Sequence, residues 1–429
     1  MRLLLVPLLV FASASGTQPR AAEVYIGVEG SAKTELVLGL APFFPADAKS
    51  REETELGAKL RDVVRTDLLS SRAIALIEQG PPADVTDPDA AAKVWRERGA
   101  AFLLEASAAK KETQAALTVK LTDLGSGQAL LSRHYRLSYD FWRSLAHQAA
   151  DDIVRQLTGR RGLGQTRIAF ANDQTGAKEL YVIDADGARP TRLTNNRSIN
   201  LFPRWRPDGK AIAFTSYKDG NPDIHILDLE RGRSQVLSDR QGLNLAGGFS
   251  PDGSQIAATL SRGKDPNVFI IDLKSGNSKR ATNEWGVESS PTFSPDGLNI
   301  AYVSDRSGNP AVYALELATG RTRRLTGRLG WCDSPSWSPT GEWIAFAGRA
   351  NPKDRFDIFL VDVTGTRTIQ LTHGEGSNEE PSWSPDGRFL VFASTRDKRR
   401  RLYVMDADGS APHALADIPG NSFTPNWGP

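Results

Sequence analysis

From residue 202 onward the chain repeats one order of apolar and polar positions. Phe202-Pro-Arg-Trp-Arg-Pro-Asp-Gly-Lys-Ala-Ile-Ala-Phe214 is its first full copy. The order returns at Gly248-Phe-Ser-Pro-Asp-Gly253, Ser290-Pro-Thr-Phe-Ser-Pro-Asp-Gly297, Ser334-Pro-Ser-Trp-Ser-Pro-Thr-Gly341 and Glu380-Pro-Ser-Trp-Ser-Pro-Asp-Gly387. The turn prolines fall at 207, 251, 295, 339 and 385, in steps of 44, 44, 44 and 46 residues. A fixed period of that length suits one four-stranded propeller blade. Within a copy, Ser-Pro-Asp-Gly sets a type I turn between two short runs of aromatic, Ile, Val and Ala residues, which is a β-hairpin. A third run follows (Asp223–Leu229, Asn267–Leu273, Ala311–Leu317, Asp357–Val363 and Arg401–Ala407), and a short fourth closes the unit, as in Arg324-Leu-Thr326.

The ends supply a sixth blade. Arg167-Ile-Ala-Phe170, Leu180-Tyr-Val-Ile-Asp184 and Arg192-Leu-Thr194 are three strands without an aromatic-Ser-Pro strand ahead of them, and Thr424-Pro-Asn-Trp-Gly-Pro429 is that strand. Pairing the two closes a ring and removes its open edges. The Trp residues at 205, 337, 383 and 427 belong to the core of this ring.

Ahead of the repeats, residues 36–160 read as a small α/β domain and 163–429 as the propeller. Leu36–Ala41, Ala73–Ile77 and Phe102–Ala106 are predicted strands, and a hairpin turns through Asp123–Gly127. Glu52–Leu69 places Leu56, Leu60, Val63, Val64 and Leu68 on one helical face; Asp89–Glu97 and Phe141–Leu157 are further helices. Glycines and arginines over 159–164 form the linker.

The start, Met1-Arg-Leu-Leu-Leu-Val-Pro-Leu-Leu-Val-Phe11, has one positive charge and an apolar run too short for a bilayer, the pattern of an export signal over residues 1–22. Its cleavage falls between 14 and 22; Arg20 at −3 to a cut before Glu23 argues for a site nearer Ala14 or Gly16. Residues 23–35 follow as a separate segment. Here Val24, Ile26 and Val28 alternate with Tyr25, Gly27 and Glu29, either as an edge strand of the α/β domain or as a peptide that adds to a partner's sheet.

A net charge of +2, from 53 basic and 51 acidic residues, gives no electrostatic case for nucleic acid or for an anionic membrane. The lone Cys332 forms no internal disulfide, which fits an exported chain in a periplasm. No Gly-x-Ser-x-Gly elbow, phosphate loop or zinc-type His pair occurs, so no catalytic, metal or cofactor site is expected. The five histidines are scattered, and Asp184-Ala-Asp-Gly187 and Asp406-Ala-Asp-Gly409 read as hairpin turns. The candidate site is instead the propeller mouth, where the loops entering the innermost strands converge. These carry Leu201 and Phe202, Asn244 and Ala246, Glu288, Ser289 and Ser290, Asp333 and Ser334, Asn378, Glu379 and Glu380, and Phe423. Glu288, Asp333, Glu379 and Glu380 predict an acidic rim suited to basic groups or a cation.

An export signal, a Glu23-Val-Tyr-Ile26 segment, a small α/β domain and a six-bladed ring of Trp-Ser-Pro-Asp-Gly repeats closed by Trp427 together resemble the TolB family, the periplasmic propellers of the Tol-Pal cell-envelope system. Asn426-Trp-Gly-Pro429 departs from the repeat in having Gly before its last Pro. The resemblance implies a non-enzymatic adaptor, monomeric on its own and not inserted in a membrane. It would bind the peptidoglycan-associated outer-membrane lipoprotein Pal at the mouth and the inner-membrane protein TolA through Glu23, Val24, Tyr25, Ile26 and Val28. Its role would lie in outer-membrane integrity and constriction at cell division. Propellers of the prolyl-oligopeptidase type share the repeat, so a periplasmic hydrolase accessory or ligand-binding module stays open.

Overall fold

A computed structural model describes residues 36–82, 85, 87–261, 265–327 and 329–429. The predicted export signal and the segment holding Glu23, Val24, Tyr25, Ile26 and Val28 lie outside the described residues. The α/β part runs β1 (Leu36–Pro45), α1 (Arg51–Ser70), β2 (Ile74–Ile77), α2 (Pro88–Glu97), β3 (Phe102–Lys111), β4 (Gln114–Asp123), β5 (Ala129–Ser138) and α3 (Trp142–Thr158). The sheet order is β2-β1-β3-β4-β5, with β1 parallel to both its neighbours and the rest antiparallel.

Local chemistry sets these elements. Ser50 caps α1 by accepting from the Glu53 N–H at 3.2 Å, and the Glu53 carboxylate in turn accepts from the backbone of Asp47 and Lys110. Asp87 caps α2 ahead of Pro88, while Gly159 ends α3 in the left-handed region (φ 71°). The predicted face of α1 and the inward face of α3 (Leu145, Ala149, Ile153) pack on one side of the sheet with Leu38, Leu40, Leu104 and Leu117. Trp95 of α2 covers the other side, so close to β1 that a Cβ on Gly39 would lie 2.8 Å from its ring.

The remaining strands form six four-stranded sheets. Blade 1 is split: its inner strand is Ser422–Trp427, paired to Arg167–Asn172, with Glu179–Asp184 and Thr191–Arg192 outside. The inner strands of blades 2 to 6 are Asn200–Trp205, Asn244–Phe249, Glu288–Phe293, Trp331–Trp337 and Asn378–Trp383. At the repeat turn, Gly253 N–H donates to the Ser250 carbonyl at 2.9 Å, and Ser250 Oγ donates to Asp252 at 2.6 Å while accepting from Gln255 N–H. Serine, aspartate and glycine each have a bond of their own in this turn; in blade 2 Arg206 stands for the serine and in blade 5 Thr340 for the aspartate. Trp205, Trp383 and Trp427 are buried as expected, whereas Trp337 is only half-buried. The odd Gly428 is explained by Trp205, whose ring occupies the space a Cβ would need, at 2.3 Å.

Each inner strand starts on one face of the ring, the upper face, and ends at its Ser-Pro-Asp-Gly turn on the lower face. The α/β part packs against the lower face of blades 1 and 6, in one compact unit with the ring. Arg388 Nη1, beside a repeat turn of blade 6, donates to the Ser71 carbonyl at 2.8 Å. Arg72 lies 3.8 Å from Asp406, and Arg143 lies 3.5 Å from Asp184 in the outer hairpin of blade 1. The upper face is left uncovered by the α/β part. No helix among the described residues is long and apolar enough to cross a membrane.

Candidate functional site

The residues predicted at the mouth sort into three kinds. The first kind is buried. Residues 200, 244, 288, 332, 378 and 422 occupy one equivalent position at the start of the six inner strands, and all are almost wholly inaccessible. They latch blades together. Asn200 N–H and Nδ2 both donate to the Lys178 carbonyl of blade 1, at 2.8 and 3.0 Å. Asn378 Nδ2 donates to Asp357 of blade 5 at 3.2 Å, and Glu288 Oε2 accepts from Asn267 Nδ2 of blade 3 at 3.0 Å. Asn244 Oδ1 accepts from Ser238 Oγ at 2.7 Å. Asn244, Ala246, Glu288 and Asn378 therefore stand behind the mouth and not on it, which corrects the expectation for these four. Burial pushes the Glu288 carboxyl up, against opposing contacts from Thr282, Asn267 and Arg306. Cys332 sits in the same column, its thiol pushed by burial to about 11, inert as a nucleophile.

The second kind forms a strained belt. Phe202, Ser290, Ser334, Glu380 and Thr424 all have positive φ, between 47° and 59°, each directly before the strand proline. A register shift accompanies each one, so five inner strands carry the same left-handed bulge. Such backbone costs of order 1 kcal/mol per residue and persists only when surroundings enforce it. Here hydrogen bonds pass round the belt from blade to blade. Phe202 N–H donates to Thr424 Oγ1 at 3.2 Å, and Thr424 N–H donates to Glu380 Oε2 at 2.6 Å. Ser290 Oγ donates to Asp333 Oδ1 at 3.4 Å. Blade 3 replaces the bulged residue and proline by Ala246-Gly247, and Gly247 fits because Pro291 would lie 2.7 Å from its Cβ.

The third kind is charged. Arg400 reaches Glu379 at 3.3 Å and Glu380 at 3.2 Å, with its guanidinium 5.4 Å from the Phe423 ring, over which Lys178 also lies at 4.4 Å. Burial pushes the Glu380 carboxyl up, opposed by Arg400 and the Thr424 N–H. Burial likewise raises Asp333, opposed by the Ser334 N–H at 2.6 Å and by Ser290. The acidic rim is thus not open to a basic ligand as expected, because its carboxylates already have donors. Arg204, which the sequence reading passed over, stands in the channel of blade 2. Among the described residues its guanidinium makes one hydrogen bond, from Nη1 to the Pro203 carbonyl at 3.1 Å. Burial lowers its pKa to about 10, with the Glu380 charge opposing. Leu201 and Phe423 are half-buried against the core of blades 1 and 2, and Ser289 is half-exposed beside the belt.

A second polar cluster lies at the lower face, between the α/β part and blade 1. His147 Nδ1 is 2.7 Å from Asp67 Oδ2 and its Nε2 is 3.8 Å from Asp184 Oδ2. Arg189 donates to Asp184 at 3.0 Å, and Arg143 pairs with both Asp184 and Asp186. Burial opposes protonation of His147, yet Asp184 and Asp67 outweigh it and raise the pKa to about 9. Asp67, His147 and Asp186 have ligand atoms within 4.8 Å of one another. The existing pairs with His147 and Arg143 make this a structural charge network. A cavity of about 200 Å³ adjoins it, lined among others by Ser71, Asp151, Arg388 and Trp427. His147 was read from sequence as an ordinary histidine; its partner Asp67 is 80 residues away, and no motif announces the pair.

The model of the family described as the TolB beta propeller domain matches residues 154–429. The Tol-Pal system protein TolB of Geobacter sulfurreducens is 34% identical over 199 residues, covering 44% of each chain. That of Syntrophotalea carbinolica is 36% identical over 163 residues, 37% of this chain and 38% of the relative. The chain spans 31–44% of the length of the curated relatives it matches. The crystal structure of TolB from Acinetobacter baumannii superposes with a TM-score of 0.79 at 28% identity, covering 92% of this chain and 96% of that one.

Proposed function

The chain belongs to the TolB β-propeller family, and on that premise we propose that it is a non-enzymatic adaptor of the Tol-Pal system in the periplasm. It binds the lipoprotein Pal at the upper mouth of the propeller and TolA through residues 23–35. In doing so it supports outer-membrane integrity and constriction at division. One observation carries the choice of face. The α/β part packs on the lower face of blades 1 and 6, while the upper mouth gathers five strained residues, Arg400 with its two glutamates, and Arg204, which has no ion pair among the described residues. Strain and unmet charge at an uncovered concave surface are the marks of a binding site.

Calorimetry with the purified soluble domain of Pal from the same cell tests the mouth. The wild type gives saturable binding, and Ser289→Arg with Glu379→Arg abolishes it without lowering Tm by more than a few degrees. Binding that survives both substitutions would move the site elsewhere, and no binding by the wild type would end the adaptor reading. For the second partner, a peptide of residues 23–30 competes with the full chain for the periplasmic domain of TolA.

A further inference from the structure

One residue ahead of each buried latch lies a second equivalent position. The carbonyl of Ile199 accepts from Tyr217 N–H at 2.9 Å, that of Leu243 from Ser261 at 3.0 Å and that of Val287 from Asp305 at 3.3 Å. The carbonyls of Ser377 and Asn421 accept likewise from Thr395 at 3.0 Å and Asp173 at 3.2 Å. In blade 5, Trp331 is in register with Arg349. The backbone role is the same around the ring, so the side chains are free to differ, and they differ by sector. Blades 2 to 5 carry Ile199, Leu243, Val287 and Trp331, which are 43, 36, 44 and 39% exposed. Trp285, beside Val287, is 67% exposed. Blades 6 and 1 carry Ser377 and Asn421, next to Arg400, Glu379 and Lys178.

The rim is therefore an apolar crescent over four consecutive blades and a polar arc over the other two. Nothing in the repeat requires large apolar groups at this position, since Ser377 and Asn421 keep the same backbone bond. Exposed aromatic and aliphatic groups arranged on one side of a mouth are the makings of an interface core. Among the described residues Asp333, Lys178, Arg349 and Arg204 have no ion-pair partner, and Arg204 is the cation that sits on an inner strand of the crescent. Glu380 accepts from Thr424 N–H and pairs with Arg400, and Asp333 accepts from Ser334 N–H. Among the described residues the Arg204 guanidinium has one carbonyl, from its own neighbour, and no carboxylate within 4.0 Å, although the Glu380 charge acts on it. A half-buried guanidinium with so few acceptors favours a carboxylate ligand.

We infer that the mouth takes a protein knob whose flank toward blades 2 to 5 is apolar and whose tip carries a carboxylate for Arg204. This rests on the reading that the mouth receives a protein partner, and it adds which side of that partner is apolar and which charge it inserts. A bilayer suits the crescent less well. The four rim side chains are each less than half exposed, and a third of the ring is ionic, whereas insertion in lipid wants protruding apolar groups on a surface free of fixed ion pairs.

The test is calorimetry of the full chain and its variants with the soluble domain of Pal, beside flotation with vesicles of phosphatidylethanolamine and phosphatidylglycerol. Val287→Ser with Trp331→Ser should weaken binding by about tenfold or more, and Leu298→Ser, at an exposed apolar residue beside a lower-face turn, should leave it unchanged. Arg204→Gln should weaken it by about tenfold, with Arg204→Lys recovering part of the loss. One acidic residue of the lipoprotein, changed to its amide, should lose no further affinity against Arg204→Gln. Melting temperatures guard against unfolding. Wild-type binding that ignores both the crescent and Arg204 overturns the inference while leaving the mouth adaptor standing. No wild-type binding overturns the adaptor reading itself. Vesicle binding that depends on Val287 and Trp331 overturns the inference in favour of a lipid surface.

Discussion

The two faces of the ring treat charge in opposite ways. On the lower face, Asp67, His147, Asp184, Asp186, Arg143 and Arg189 are interlocked: Arg143 and His147 of the α/β part reach Asp184 or Asp186 of blade 1, while Asp67 backs His147 and Arg189 backs Asp184. On the upper face Arg400 pairs with Glu379 and Glu380, backbone N–H groups of a strained belt serve Glu380 and Asp333, and Arg204 has no ion pair among the described residues. A closed network holds two parts of one chain together. An open one has affinity to spare for another molecule. The same repeat builds both faces, so the difference lies in what each blade places at its turns.

The largest effect expected is on both faces together. Trp427→Ala removes a buried side chain whose Nε1 donates to Thr166 Oγ1 at 2.9 Å across the closure of the ring. It should cost roughly 3–5 kcal/mol in urea unfolding. Next comes a lower-face substitution. Asp184→Ala strands Arg189 and takes one of two carboxylates from His147 and from Arg143, which keep Asp67 and Asp186, and should cost about 3 kcal/mol, with no change in mouth binding. A result that weakens binding as well would erase the contrast between the faces.

Titration separates them more finely. Folded His147 holds its proton up to about pH 9 against a reference near 6.5. Between those values the folded chain binds a proton that the unfolded chain lacks, so this stabilisation is complete below 6.5 and is lost as pH rises through 9. Burial raises Asp67 and subtracts from the gain. Asp184, pushed up by burial but brought down to about 2 by His147 and Arg189, contributes above its reference of 3.8 and fails as pH falls through 2. Unfolding free energy should drop by about 1–3 kcal/mol between pH 6.5 and 9, and His147→Gln should flatten that slope. The smallest expected effect is Ser334→Gly, which relieves a left-handed serine (φ 52°) and should change stability by under ~1 kcal/mol.

The fold was written in the period. Prolines 44 to 46 residues apart located five blades and the two ends the sixth, and Leu56, Leu60, Val63, Val64 and Leu68 marked the inward face of α1. The mouth was only half legible. Glu288 looked like a rim acid, yet it shares a column with Asn200, Asn244, Cys332, Asn378 and Ser422. Aligning that column on the period, with its cysteine and serine, marks it as buried. One column earlier, Ile199, Leu243, Val287 and Trp331 were equally available and were missed, because an isolated apolar residue in a loop carries no signal until its three counterparts are set beside it. Arg400 and His147 had no such route. Their roles come from contacts between residues far apart in sequence, which periodicity does not encode.

Ring closure joins Asn172 to Ser422 across 250 residues. A chain emerging from its N-terminal end can assemble blades 2 to 6 while this pair is still unmade, and until then it presents two unpaired sheet edges to its surroundings. The inner strand of blade 1 is made after every other strand of the ring, and until it pairs the half-made propeller is open to pairing with its own copies.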